Sequence, residues 1–376
     1  MRASFLYLAV ILFISAWWYL GFQTAPPTIS FDRHSMPLTP LTDQLSPLKR
    51  ETLFQALWGD FDLMTKLLSD WESDAEFLMK HQVPGIKRMP KPSLQPKLTQ
   101  IVDDANNTID LTMPKKRFLP QTYLASTVLL ALLPPEQIVA LPKGLRDLSH
   151  MYPDSLISKI PLDIDRYNSE ILYQLHPEVA FVAHYSHPAT IEALKSQGIP
   201  LFFIRNVDTL SDVLDAIVKI GYVADRSAEA ALMAAFMEGA MNAIDNRLRA
   251  LARSQPKPFS TQKVLFLHYL GQFSLPTTKN FTGQLLKRLN EQTSLFAIRI
   301  EESDSEWRIP VSWETIVQHH PDSIIISGTN EEEVRKRLVG EHIAYVDEMV
   351  QQSLTQHIVL AYYDLFHALS FLFVCA

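Results

Sequence analysis

Hydrophobic positions show three textures along the chain. No charged residue occurs between Arg2 and Asp32, and Phe5 to Phe22 is almost wholly apolar. Such a run lies between a long signal-peptide core and a short spanning helix. From Thr28 to Pro120 the chain is dotted with proline, and one amphipathic stretch, Glu51 to about Met79, predicts a helix. That part reads as a stalk plus a small helical extension, with a linker at Pro90-Lys91-Pro92 and Pro96. From about Arg117 short β-rich runs alternate with helical patterns. The runs are Ile138–Leu141, Val179–Ala183, Leu201–Ile204, Val264–His268, Phe296–Ile300, Ile324–Ser327 and Ile358–Leu360. This alternation predicts an α/β fold built from βαβ units with mainly parallel sheets.

Helix ends are marked chemically. Thr209-Leu-Ser-Asp212 has the form of a capping box, with Leu210, Val213, Leu214 and Ile217 as the buried face and Gly221 as the stop. Asn330-Glu-Glu-Glu333 opens another helix that ends on Arg335, Lys336, Arg337 and Gly340. Acid in the first turn and base in the last suit the helix dipole, so the triple glutamate is structural rather than a metal site. Ala224 to Arg253 predicts a single helix of about 40 Å, with Leu232, Phe236, Ile244 and Leu251 on one stripe and Pro256 and Pro258 ending it. One stiff helix between two lobes limits how far they can hinge.

A repeat supports two similar lobes. Glu170-Ile-Leu-Tyr-Gln-Leu-His-Pro-Glu178 precedes the run Val179–Ala183, and Glu314-Thr-Ile-Val-Gln-His-His-Pro-Asp322 precedes Ser323–Ser327. Proline cannot continue the helix, so the chain must turn into the strand, and His176 and His320 serve that turn.

Length and composition narrow the function. At 376 residues, with 47% hydrophobic and 20% charged positions, the chain is globular and long enough for two lobes. A net charge of −7 argues against nucleic acid. Phosphate-binding glycine loops, Gly-x-Ser-x-Gly and His-Glu-x-x-His are all missing from the sequence, which favours a binding protein over an enzyme. The single cysteine, Cys375, allows no intrachain disulfide and no Cys-x-x-Cys site. The apolar start predicts export to the periplasm, by a cleaved signal peptide or with residues 5–22 kept as a tether to the inner membrane.

From Thr108 onward the chain resembles the periplasmic binding proteins for cobalamin, ferric siderophores and haem. The residues carrying the resemblance are Thr108-Ile-Asp-Leu before Pro114-Lys-Lys-Arg117, Ser126-Thr-Val-Leu-Leu-Ala-Leu132, and Gln137-Ile-Val-Ala-Leu141. They continue with Asn168-Ser-Glu-Ile-Leu before His-Pro-Glu-Val-Ala-Phe-Val, then Gln197-Gly-Ile-Pro-Leu201. Trp313-Glu-Thr-Ile with His-Pro-Asp-Ser-Ile-Ile-Ile, and Tyr363-Asp-Leu-Phe366, match the second lobe. The resemblance implies two Rossmann-like lobes joined by one long helix, and a solute-binding component of an ABC importer. Its partners would be an ABC permease and ATPase; its ligand would be an iron–siderophore, haem or cobalamin, with no intrinsic cofactor. Segments follow as a signal or anchor (1–27), an extension and linker (28–107), a first lobe (108–223), the connecting helix (224–254) and a second lobe (255–376). The family docks on its permease through one acid per lobe. Glu170 is the first-lobe candidate, while the second-lobe helix searched for a counterpart carries Lys287. A full C-terminal helix is the family's usual ending, whereas only Ser370-Phe-Leu-Phe-Val-Cys-Ala376 follows Leu369 here.

Ligands of open α/β sheets bind beyond the carboxyl ends of the strands. The loops expected there offer Tyr123, His184, Tyr185, His187, Arg205, Tyr269, Gln272, Trp307, Tyr363 and His367. Aromatic rings suit a macrocycle or a chelated metal, and Tyr or His can ligate iron. Each tyrosine could instead pack, His184 and His187 could share a metal, and Arg205 could meet an anionic siderophore or a surface carboxylate. His268 reads as a core histidine or as one aimed at the cleft. Two alternatives stay open: a Zn²⁺ or Mn²⁺ relative with three or four His or carboxylate ligands, and a membrane-tethered protein-interaction or signalling module.

Overall fold

The computed structural model describes residues 59–93, 96–146, 154–160, 162–164, 169–205, 207–254, 261–328 and 343–347. Its elements, in chain order, begin with α1 (Phe61–Lys80), β1 (Gln100–Val102), β2 (Thr108–Asp110), β3 (Phe118–Pro120), α2 (Tyr123–Leu132), β4 (Leu141–Pro142), α3 (Asp154–Ile157) and β5 (Asp163–Ile164). Then come α4 (Ser169–Leu175), β6 (Val179–Ala183), α5 (Pro188–Ser196), β7 (Leu201–Ile204), α6 (Leu210–Val223) and α7 (Ser227–Ser254). The second lobe contains β8 (Gln262–Tyr269), β9 (Phe273–Pro276), α8 (Phe281–Gln292), β10 (Phe296–Arg299), β11 (Arg308–Pro310), α9 (Trp313–Gln318), β12 (Ser323–Gly328) and β13 (Ile343–Asp347). The expected helix at 330–340 and the expected run at 358–360 lie outside the described residues.

In the first lobe β3, β6 and β7 are parallel neighbours, and β4 pairs with β5 in the same sense. All five residues of β6 are buried, as a strand covered on both faces must be. Alternate positions serve opposite layers. Phe118, Val179, Phe181, Phe202 and Ile204 join the core shared with α2, α6 and α7. Leu119, Ala180, Val182 and Leu201 face the other way, among Leu172 and Leu175 of α4 and Ala193 and Leu194 of α5. The second sheet runs β11-β9-β8-β12-β13, with β10 also on β8. Its centre is parallel, but β9 returns antiparallel to β8. The stretch expected as a loop from Tyr269 to Phe273 is thus a tight hairpin: Leu270 donates to the Gln272 carbonyl at 3.3 Å, and Gly271 takes φ 79°.

The repeat has one geometry in both lobes. His176 and His320 adopt φ 41° and 43°, a left-handed turn in which His is one of the more tolerant side chains. After the proline, the Glu178 N–H donates to the Arg117 carbonyl at 2.8 Å while its Oε2 accepts from the Lys116 N–H at 2.6 Å. Asp322 does the same with Lys263, donating to its carbonyl at 2.9 Å and accepting from its N–H at 2.8 Å. The longer Glu side chain reaches one residue further. Each acid therefore staples the amino end of a central strand to its parallel neighbour. In the first lobe Arg117 adds a bond from Nη2 to the Leu175 carbonyl at 2.6 Å, capping the end of α4.

The capping box forms as expected, with Thr209 and Asp212 bonding reciprocally. Gly221 does not stop its helix. A Cβ there would lie 2.1 Å from the Ala230 Cβ, so this glycine lets α6 and α7 approach. The stop is a Schellman turn: Asp225, at φ 54°, donates to the Tyr222 carbonyl, and Arg226 to that of Gly221. The connecting helix is real, 28 residues and about 42 Å long.

The stretch read as a stalk docks instead. Asp60 caps α1 by accepting from the Leu63 N–H at 2.9 Å, and Met64, Leu68, Ala75 and Leu78 are buried. Trp71 stacks on Phe236 of α7 with centroids 5.4 Å apart. Gly239 leaves room for Leu68, Trp71 and Met89. Residues of the amphipathic stretch before Gly59 lie outside the described residues.

Candidate functional site

Three expected site residues meet at the carboxyl edge of the first lobe. After β3, Thr122 caps α2 by accepting from the Ala125 N–H at 3.1 Å, which places Tyr123 on the first turn. Tyr123 is 38% exposed, and its hydroxyl donates to the Lys143 carbonyl at 3.0 Å. Gly144, at φ +85°, makes this possible, since a Cβ there would sit 2.6 Å from the Tyr123 oxygen. After β6 the chain turns sharply, Ser186 exchanging bonds with Ala183 through both its N–H and its hydroxyl. The turn displays His184 and Tyr185 side by side, rings edge-on at 5.1 Å, with Tyr185 64% exposed. Desolvation of the Tyr185 hydroxyl, helped by nearby Tyr123, raises its pKa, so it stands as a neutral phenol.

The neighbours have structural duties. His187 is the N-cap of α5, its Nδ1 accepting from the Ala189 N–H at 3.3 Å. Arg205 follows β7 with an exposed side chain, and its N–H donates to Asp104 Oδ2 at 2.8 Å. Against the cost of burial, bonds from Lys219 and from the Arg205 N–H hold the Asp104 carboxyl below its usual range. Glu170 lies in α4, after Ser169.

The second lobe departs from expectation. Tyr269, expected on the cleft wall, is 1% exposed and packs among Leu267, Phe273, Leu275, Ile316 and Ile326. An odd-numbered residue of β8 faces the outer core, and the hairpin to β9 closes over it. His268 points to the opposite face, 2% exposed and edge-on to Phe266 at 5.1 Å. Burial, with the Arg308 charge adding to it, pushes its pKa down to about 3, which keeps the imidazole neutral. Its register partner on β12 is Ser327. Among the described residues neither His268 Nε2 nor Ser327 Oγ finds a hydrogen-bond partner. Gln272 and Trp307 are exposed, Trp307 by 54%. Tyr363 and His367 lie outside the described residues.

No group of three His, Cys, Asp or Glu able to hold a metal ion occurs among the described residues. One residue escaped the reading of the sequence. Glu314 stands where the repeat puts Glu170, in the first turn of α9, exposed, with the Ser312 hydroxyl holding its pKa below the usual range. The repeat alone makes Glu314 the positional counterpart of Glu170, whereas the second-lobe helix at 281–292 carries Lys287.

Comparison with known proteins agrees with this architecture. The sequence profile described as periplasmic binding protein matches residues 150–354. A possible iron-binding periplasmic solute-binding protein from Staphylococcus epidermidis superposes with a TM-score of 0.53 at 18% identity, over 68% of this chain and 99% of its own. The periplasmic heme-binding protein BhuT, solved with two hemes, gives 0.51 at 16% identity, over 69% and 100%. A periplasmic binding protein from Veillonella parvula gives 0.52 at 14% identity, over 72% and 96%. No curated protein sequence matches. Among the described residues no helix is long and apolar enough to cross a membrane. The chain belongs to the periplasmic binding protein family, whose members bind solutes outside the cytoplasm and are not enzymes.

Proposed function

We propose that the chain captures an iron complex, haem or a ferric siderophore, between its lobes and presents it to an ABC permease, with cobalamin as the other ligand of this size and chemistry. The carrying observation is the pairing of Tyr123 and Tyr185 with His184 at the carboxyl edge of the first lobe. Exposed rings fixed by a helix cap and a tight turn offer flat apolar contact at small entropic cost. A phenol oxygen or an imidazole offers a ligand to ferric iron. The likeness to an iron-binding and a heme-binding protein supports the same reading. Since Tyr185 is a neutral phenol, direct ligation must release its proton, so affinity should rise with pH. Docking on the permease would use Glu170 and its repeat counterpart Glu314, one acid on each lobe.

Parallel titration with haem, a ferric siderophore, cobalamin and Zn²⁺ tests this reading, followed by quenching of intrinsic fluorescence. The expected result is saturable quenching by one of the first three, weakened by Tyr185→Phe. Binding of Zn²⁺ alone, or of none of the four by the folded protein, would contradict it.

A further inference from the structure

The connecting helix meets its neighbours in two different ways. Toward the first lobe the contact is apolar and close, with Gly221 of α6 against Ala230 of α7. Toward the second lobe it is a polar seam centred on Asp245, whose side chain is 0% exposed. Arg288 of α8 holds that carboxylate at 2.8 Å and also reaches Asn242 at 2.9 Å. The second cation on Asp245 comes from neither lobe. Lys87, in the extension after α1, bonds the same Oδ2 at 2.9 Å. Its backbone is clasped by Asn246, which accepts from the Lys87 N–H and donates to the Lys87 carbonyl, both at 2.8 Å. Further along, Arg253 bonds the Gln82 carbonyl and Arg249 bonds Gln292 of α8.

We infer that residues 81–89 are a strap that locks the angle between the lobes, by fixing from a second side the buried Asp245 carboxylate through which α7 holds Arg288 of the second lobe. Arg288 matches the carboxylate's charge, and Lys87, bonded to the same Oδ2, fixes where that side chain sits; taking a partner away from a buried ion pair destabilises it. Among the described residues Lys279 of the second lobe also pairs with Asp208 of the first at 3.0 Å, about a third exposed on both sides and screened by salt. At the Asp245 seam the carboxylate itself is 0% exposed and Arg288 19%, while Lys87, at 40%, closes it from the solvent side. The strap therefore bears on the lobe angle whichever ligand fills the cleft.

Distance measurements between spin labels test the lock on the full chain in detergent, with Cys375→Ser and labels at Glu192→Cys and Gln318→Cys, one exposed site per lobe. The native strap should give one narrow distance distribution. Lys87→Met should at least double its width, while Lys87→Arg keeps it narrow. Arg88→Met is the control, because that guanidinium pairs only with Glu72 and Glu76 of the extension among the described residues; it should change nothing. An unchanged width in Lys87→Met overturns the lock, and so does equal broadening by Arg88→Met. Should Lys87→Met fail to fold, Lys87→Gln, which keeps a donor, replaces it with the same two outcomes.

Discussion

The two lobes are alike at the amino ends of their strands and unlike at the carboxyl ends. At the amino ends His176-Pro-Glu178 and His320-Pro-Asp322 share a left-handed turn and a carboxylate staple. At the carboxyl ends the first lobe shows Tyr123, His184 and Tyr185 to solvent, while the second buries His268 and Tyr269 in opposite layers of its sheet. One unit was used twice to build sheets, and the carboxyl ends, where the ligand site is proposed, were left free to differ. The repeat thus speaks for the fold, and the ligand must be sought where the repeat stops.

The sharpest way to break this contrast is to truncate one tyrosine from each lobe. Tyr269→Ala should cost roughly 3–5 kcal/mol of stability, as aromatic deletions from packed cores do, measured by denaturant unfolding. Tyr185→Ala should change stability by less than about 0.5 kcal/mol and instead weaken ligand binding about tenfold or more. A stable Tyr269→Ala would remove that residue from the core and reopen its place in the cleft.

Acid should act on the second lobe next. The folded pKa of His268 lies at about 3, below its ordinary 6.5, so the fold favours the neutral ring. Stability from this group is complete above about pH 6.5 and falls as pH drops toward 3, by roughly 5 kcal/mol in all. Unfolding curves from pH 7 to 4 should show this slope, and His268→Gln should flatten it. An equal slope in the variant would place the acid sensitivity elsewhere.

Smaller and matched effects are expected at the amino ends. Glu178→Ala and Asp322→Ala should each lose about 1 kcal/mol, the worth of a hydrogen bond to a charged acceptor at a wet site. His176→Gly and His320→Gly should each gain about 0.5 kcal/mol, since glycine takes φ near 40° without strain. Thermal midpoints of the four variants check both pairs. A clear difference between the lobes would mean that their common sequence hides different turns.

Much of this was legible because it is local. The capping box at Thr209, the buried strand at Val179–Ala183 and the connecting helix are each determined by residues within one or two turns of each other. What escaped depends on partners remote in the chain. Gly221 looked like a stop because nothing nearby shows that Ala230 presses on it. The docked extension was hidden because Lys87 finds Asp245, 158 positions away. Tyr269 was misplaced because a hairpin turned by Gly271 extends β8 beyond its apolar run. Of the site, the pairing of Tyr123 with Tyr185 needed two strand ends brought together by parallel pairing.

Hydrogen–deuterium exchange with and without the ligand identified by titration tests the central claim most directly. Binding should slow exchange at residues 121–123 and 184–187, and at the 270–272 turn of the facing lobe. The turns at 176–178 and 320–322 should exchange at unchanged rates. Protection confined to those His-Pro turns, or no protection at the Tyr123 and Tyr185 loops despite saturation, would contradict a ligand site at the carboxyl edge.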